Sequence, residues 1–303
     1  MNCSVAGCIF RLCAVFIIIA LVFPAAYATV KFGGPAALPA AASSVDPLQL
    51  ESIDPLAGPG PILAATTSNL FAQVAFGGGY TTVFSFTNTG ATEVTASLYL
   101  TDSDGQALIT SFSSPGNPDV VDSVYPLDLP SGGFQEVIAQ PISAGDPTKT
   151  GWARVESTGG TLGGVATFQF APGGTLSTIV GVLSAPAVSA ATIPVDDDHV
   201  GGRDTGYAIA NPGTTDINVK LIFVHPDGTI HMSLTPPALN PLHPGGHVAT
   251  FLWQDAADQF LLFRGTVVMI EPTGKAFSVV ALVLNNGLCT AVPVIQGSAP
   301  TIR

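Results

Sequence analysis

Histidine is the residue type of this chain best suited to bind a metal, and most of its histidines are close in sequence. Neutral imidazole is a common metal ligand, so several of them could share one ion. Four of the five lie within one short segment, as His225, His231, His243 and His247. The sequence around these histidines is a repeat of an earlier part of the chain. That earlier copy has no histidine at the matching positions, which are Asp102, Leu108, Pro130 and Phe134. We therefore expect solvated turn residues, with a metal site as the alternative.

The one dense acidic run is Asp196-Asp197-Asp198-His199. Three close carboxylates supply the oxygen ligands that calcium prefers, so Asp196, Asp197 and Asp198 are the candidate metal site. The run lacks the spacing of a known calcium loop and lies where a loop is expected. An exposed acidic loop is therefore the favoured interpretation and calcium is the alternative. No other cofactor is predicted.

Tyrosines provide a candidate binding surface for sugars. The chain is poor in charge and rich in hydroxyl-bearing residues, a composition that suits neutral partners such as glycans. An exposed aromatic ring offers an apolar face together with a polar handle. Tyr80, Tyr99 and Tyr125 are the candidates for such a platform, whereas Trp152 and Trp253 are expected in a core or an interface.

Motifs that carry catalysis are missing from the sequence. It has no G-x-S-x-G, no P-loop, no H-E-x-x-H and no C-x-x-C. Gly77-Gly78-Gly79 precedes a predicted strand, whereas a phosphate cradle needs a helix N-terminus, so a tight bend is expected there. The paired carboxylates of glycosidases can come from distant strands, which a sequence does not reveal. The sequence predicts a protein that is not an enzyme.

The charge balance narrows the classes of partner. The formal net charge is −12, with 9 basic and 21 acidic residues. Nucleic acids and anionic membrane surfaces attract clustered lysine and arginine, so neither is an expected partner. A glycan or another surface protein fits better, and the membrane would be contacted only through an uncleaved N-terminal segment.

The N-terminus has the features of a secretory signal. An apolar run covers residues 14–23, Pro24 follows it, and Ala26-Tyr27-Ala28 fits a cleavage site. We predict a signal peptide over residues 1–28 and a secreted or cell-surface protein, with an uncleaved anchor as the alternative. Cleavage would leave Cys289 as the only cysteine, so no disulfide within the chain is expected. A small buried apolar role is predicted for Cys289, with an intermolecular disulfide as the alternative.

The second half of the sequence repeats the first. Asn88-x-Gly90 returns as Asn211-x-Gly213 and Asp104-Gly105 as Asp227-Gly228, both 123 residues later. Around both turns, apolar and polar residues alternate as in half-buried strands. The alternation predicts a core containing Phe84, Phe86, Val94, Leu98 and Leu100, and its counterpart Tyr207, Ile209, Ile217, Val219, Leu221 and Phe223.

These patterns predict an all-β fold of two tandem antiparallel β-sandwich domains of the immunoglobulin-like kind. The domains are assigned to residues 64–186 and 187–297, after a linker over 29–63 and before a tail over 298–303. The first copy holds about ten extra residues, from Ser113 to Asp122, which we expect to form a long loop. The only candidate helix is short, within Asp255 to Phe263.

The repeat resembles tandem immunoglobulin-like units of uncharacterised exported bacterial proteins. The shared features are a G-G-G-Y-x-T segment from Gly77, the N-x-G and D-G turns, and a G-W-A-x-V strand from Gly151. Being turn and core signals, these motifs indicate a fold and do not name a ligand. The sequence thus favours a non-catalytic exported structural or interaction module. A carbohydrate-binding module is the alternative, and a hydrolase accessory or calcium-stabilised domain is the second.

Overall fold

The computed structural model describes residues 67–256 and 262–297. The predicted signal peptide (1–28), linker (29–63) and tail (298–303) lie outside these residues. The regular secondary structure of the described chain is almost entirely strand, as the alternating sequence predicts. No helix within it is long and apolar enough to cross a membrane.

Nineteen strands and one α-helix form in the described residues, with single 3-10 turns at Pro172–Gly174 and Pro237–Leu239. The first ten strands are β1 (Thr67–Phe76), β2 (Tyr80–Asn88), β3 (Val94–Asp102), β4 (Thr110–Ser114), β5 (Asn117–Asp122), β6 (Val124–Leu129), β7 (Phe134–Gln140), β8 (Lys149–Thr158), β9 (Leu162–Phe170) and β10 (Thr178–Leu183). The others are β11 (Ala190–Asp198), β12 (Arg203–Ala210), β13 (Lys220–Val224), β14 (Ile230–Leu234), β15 (His247–Phe251), α1 (Leu252–Ala256), β16 (Leu262–Ile270), β17 (Ser278–Asn285), β18 (Leu288–Val292) and β19 (Ile295–Gln296).

The strands form three antiparallel sheets. The first sheet has the order β1-β8-β3-β6, and the second has the order β10-β9-β2-β7-β4-β5. The third has the order β14-β13-β16-β11-β12-β17-β18, with β15 paired to β12 and β19 paired to β11. For comparison, residues 67–186 are called the first half and residues 187–297 the second half.

The pairing order of the first half returns in the second. β1, β8, β3 and β6 pair in the same sequence as β11, β16, β13 and β14. Likewise β10, β9, β2 and β7 correspond to β18, β17, β12 and β15. In the second half a single extra pair, Asp198 with Arg203, joins the two sets of strands into one sheet.

Strand alternation builds an apolar core in each half. In the first half the rings of Phe71 on β1 and Phe84 on β2 meet edge to face at 5.3 Å, so its two sheets pack face to face. All eleven core residues predicted from the sequence are at most 2% exposed, including Leu98 and Leu221. A one-residue slip would have turned these side chains to the other face, so the predicted register is confirmed.

The two halves pack against each other through sheet faces. Strands β12 and β17 are buried on both sides: Tyr207 and Ile209 face the second core, whereas Ala208 and Ala210 join the cluster of the first half. Strand β1 lies against them and carries a bulge between Phe71 and Val74. Burial on both faces explains the continuous apolar run of β17 from Val279 to Leu284 and the alanines that alternate with Tyr207 and Ile209 on β12.

Two local predictions from the sequence were wrong in detail. The long loop expected from Ser113 to Asp122 is a β-hairpin, because Gly116 takes a φ of 82° and turns β4 into β5. Glycine adopts that conformation at little steric cost. The helix expected within Asp255 to Phe263 begins earlier, at Leu252, and is described only as far as Ala256.

Candidate functional site

Two carboxyl groups of the described residues have a raised pKa, and both lie at one end of the second half, where the β11–β12 hairpin meets α1. Asp197 on β11 is fully buried, and its Oδ1 accepts a hydrogen bond from the backbone N–H of Thr205 at 2.6 Å. Burial disfavours the charged form and raises the pKa of Asp197 to about 6. Its Oδ2 has no hydrogen-bond partner in the described chain.

The neighbouring aspartates of the run do not join Asp197. Successive side chains of a strand point to opposite faces, so the run is divided. Asp196 faces outward and binds Arg203 and Arg264, each at 3.1 Å. Asp198 accepts the N–H of Gly201 at 2.9 Å and closes the hairpin. The three aspartates proposed as calcium ligands in the alternative interpretation therefore do not converge, and no group of three metal-binding side chains occurs in residues 67–256 and 262–297.

A second carboxyl group lies on α1. The Tyr207 hydroxyl donates a hydrogen bond to Asp255 Oδ2 at 2.6 Å. Burial raises the pKa of Asp255 to about 6, and burial next to this carboxylate raises the pKa of Tyr207 well above its usual range. The pair ties the helix to the end of the core.

A histidine and a tryptophan cover the same end. His199 Nδ1 lies 2.7 Å from Asp204 Oδ1, and the imidazole stacks on the ring of Trp253 at 4.3 Å. An aspartate that holds one imidazole nitrogen leaves the other free to move protons, which is the arrangement used by general bases. No sequence motif predicts this pair, although His199 directly follows the acidic run.

The first half lacks this polar group. Val74 pairs with Gly151, and Val195 pairs with Gly265 in the same way. Phe76 and Asp197 each lie two residues further along their strand and therefore hold equivalent positions. Phe84 is the counterpart of Tyr207 in the same way. Because the apolar versions pack in an equivalent frame, the fold does not require the polar ones. Buried carboxyls with a raised pKa that the fold does not require are candidates for a functional site.

The three tyrosines proposed for sugar binding do not share a surface. Tyr125 is 3% exposed and packs on Phe112, because β6 directs it into the core. Tyr80 is half-buried against Phe170, and Tyr99 lies under the guanidinium of Arg154. The predicted aromatic platform is thus not formed.

The four histidines that are close in sequence fall into three separate places. His247 is buried between the halves, with Nε2 2.9 Å from Gln73 Oε1. His243 is exposed and lies 2.9 Å from Asp216. Only His225 and His231 meet, on the hairpin of β13 and β14.

Trp152 and Cys289, which the sequence also singled out, lie at the contact between the two halves. Trp152 is buried, as predicted, and its Nε1 donates to the carbonyl of Gly245 at 2.7 Å. Cys289 is half-buried beside a cavity of about 50 Å³ that Tyr80 and Phe170 also line. Burial raises the pKa of its thiol to about 11, so the reactive thiolate is scarce at neutral pH.

Comparison of the chain with family models, with curated proteins and with solved structures finds no match.

Proposed function

We propose that this protein is an exported, non-catalytic structural or interaction module made of two tandem immunoglobulin-like β-sandwiches. The observation that carries the proposal is a hydrogen-bond network that occurs once in each half. It accounts for the turn motif that the two halves share, and it serves the fold alone.

In the first half the network is centred on Asn88, which is fully buried. Its Nδ2 contacts three carbonyl oxygens, those of Thr92, Leu129 and Pro130, at 2.7, 3.0 and 3.1 Å. Its Oδ1 accepts the N–H of Gly90 at 2.9 Å. One side chain thus fastens a turn to the strand connection beside it.

In the second half Asn211 does the same. Its Nδ2 contacts the carbonyls of Thr215, Leu242 and His243 at 2.9, 3.0 and 3.1 Å, and its Oδ1 accepts the N–H of Gly213 at 3.0 Å. The asparagines that the two halves share therefore satisfy buried backbone groups, which every stable fold must do. These shared residues do not form a reactive group of side chains.

The contact between the halves supports a rigid pair. Apolar side chains of β1, β12 and β17 share one buried cluster, and Trp152, Gln73 and His247 add hydrogen bonds across it. A large apolar interface suppresses relative motion of domains. A rigid pair presents its outer surfaces at a fixed angle, as a scaffold or docking module needs.

A substrate screen tests the absence of catalysis. The purified protein is incubated with broad glycosidase, esterase and protease substrates, in parallel with Asp197→Asn and Asp255→Asn variants. We expect no turnover above buffer in any sample. Turnover that disappears in either variant would show that the buried carboxyls are catalytic and would end the proposal.

Export has its own test. The full gene is expressed in a bacterial host, and the extracellular and cell-surface fractions are collected. We expect the protein there, with Thr29 as its N-terminal residue by mass spectrometry. Retention in the cytoplasm with an intact N-terminus contradicts export while leaving the proposed scaffold role of the folded part untouched.

A further inference from the structure

The hairpin between β13 and β14 brings two imidazoles together. His225 follows the last residue of β13, and His231 is the second residue of β14. Nε2 of His225 and Nδ1 of His231 are 3.1 Å apart, with the rings at 73° to each other. In the absence of metal, one ring donates its N–H to the lone pair of the other.

The turn that joins these strands is tightly bonded. The N–H of His225 donates to the carbonyl of Thr229 at 2.8 Å, and the N–H of Gly228 donates back to the carbonyl of His225 at 2.9 Å. Asp227 accepts both the N–H and the hydroxyl of Thr229. These bonds fix the backbone on both sides of the imidazole pair, so little ordering is needed before a ligand binds.

The ring of Phe263 on β16 packs against both imidazole rings and orients them. Its ring centre lies 5.9 Å from that of His225 and 5.4 Å from that of His231. His231 is exposed and His225 is half-buried, so an ion can reach the edge of the pair from solvent. The two nitrogens are therefore held together at a solvent-accessible edge.

We propose that His225 and His231 form a chelating site for a borderline divalent transition metal such as Zn²⁺, Ni²⁺ or Cu²⁺. Imidazole nitrogens bind zinc at about 2.0–2.1 Å, which places two ligands of one tetrahedral ion about 3.3 Å apart. The same bonds at a right angle place them about 2.9 Å apart. The observed separation lies between these two values. Water completes the coordination.

The chemistry of the donors selects the class of metal. Calcium and magnesium prefer carboxylate and carbonyl oxygens, whereas imidazole suits zinc, copper and nickel. The chain carries a net charge of −12, which raises the local concentration of cations near its surface. The first half has Asp102 and Leu108 at the matching positions, so the site belongs to the second half alone.

Isothermal titration of the untagged protein with Zn²⁺ and Ni²⁺ at pH 7.5 tests the site. We expect one saturable site, with affinity at least tenfold lower in H225A and in H231A. His243→Ala is the matched control, because His243 is exposed and pairs with an aspartate instead of a second imidazole.

The site is rejected if no saturable binding occurs, or if both single variants bind as tightly as the parent. Far-UV circular dichroism and melting curves check that each variant is folded, and His225→Asn and His231→Gln replace any alanine variant that is not. A spectroscopic measurement on the parent protein gives an independent answer. Bound Cu²⁺ should show electron spin echo modulation from two imidazoles, and modulation from one or none would overturn the chelate.

Discussion

The two halves of the molecule share their strand pairing and their buried asparagines. They differ at one end of the core, next to the turn from β1 to β2 in the first half and from β11 to β12 in the second. In the first half that end is closed by Phe76 and Phe84. In the second half Asp197 and Tyr207 take the equivalent positions, and Asp255 and His199 lie beside them. The same framework therefore tolerates either an apolar or an ionisable end.

This difference separates the residues that serve the fold from those that are additional to it. A buried carboxyl whose pKa is raised to about 6 opposes folding at neutral pH, because its charge has left water. The Phe76 arrangement avoids that penalty. Polar residues retained at a cost to stability are candidates for a role beyond folding.

The largest effect is expected from the shared asparagines. Asn88→Ala or Asn211→Ala removes a buried side chain that makes four hydrogen bonds and leaves backbone carbonyls unpaired. Each variant should lose about 3–5 kcal/mol in the free energy of unfolding, measured by chemical denaturation. The exposed Asn117 makes one long hydrogen bond of 3.5 Å and is the control, with little expected change on Asn117→Ala. A large loss in one half only would show that the two networks are not equivalent.

The contact between the halves should be sensitive to acid through His247. Burial lowers the pKa of His247 from 6.5 to about 4, so the unfolded chain binds the proton more readily between these values. The stability that His247 contributes is complete above pH 6.5 and falls by about 3 kcal/mol as the pH drops to 4. His247→Gln keeps a polar partner for Gln73 and should remove this part of the pH dependence. Equal acid sensitivity in parent and variant would contradict the buried, neutral imidazole.

The pH dependence of stability that comes from Asp197 should have the opposite sign to that from His247. Because its pKa is raised from 3.8 to about 6, the folded chain binds the proton more readily between these values. The contribution of Asp197 is complete below pH 3.8 and is lost as the pH rises through 6, which costs about 2–3 kcal/mol at neutral pH. Asp197→Asn should therefore gain stability over the parent as the pH rises from 4 to 7. Asp255 titrates in the same range in both proteins and cancels in the difference. No gain at pH 7 would mean that the Asp197 charge is compensated and that the two ends of the core are energetically alike.

Much of the frame was predictable because strand alternation has a strict period. Residues such as Leu98 and Leu221 had to face inward if the strands existed at all, and they do. The acidic run shows the limit of this argument. Its composition predicts a loop, but the three aspartates lie on β11, and strand alternation separates Asp197 from its neighbours. A strand was hard to foresee there because aspartate is disfavoured in strands.

The pairs at the candidate site come from distant parts of the chain, which no local pattern records. Tyr207 and Asp255 are 48 residues apart, and Gln73 and His247 are 174 residues apart. A usable signal was the replacement of Phe84 by Tyr207 in an otherwise apolar alternation, since a buried hydroxyl needs a partner. The partner itself could be named only from the structure.

The smallest effect is expected at the hairpin that the second half lacks. Gly116 has a φ of 82°, and a methyl group added there meets nothing within 4 Å, so Gly116→Ala carries backbone strain alone. We expect a loss of about 1–2 kcal/mol, the usual cost of this conformation for a residue with a side chain. Gly105 has nearly the same φ, 83°, but its added methyl would lie 2.7 Å from the carbonyl of Pro244 in the other half. Gly105→Ala should therefore cost more than Gly116→Ala in the same denaturation experiment, and the excess measures how firmly the halves are held together. Equal losses would mean that the two halves separate easily at this point, so that each behaves as an independent unit.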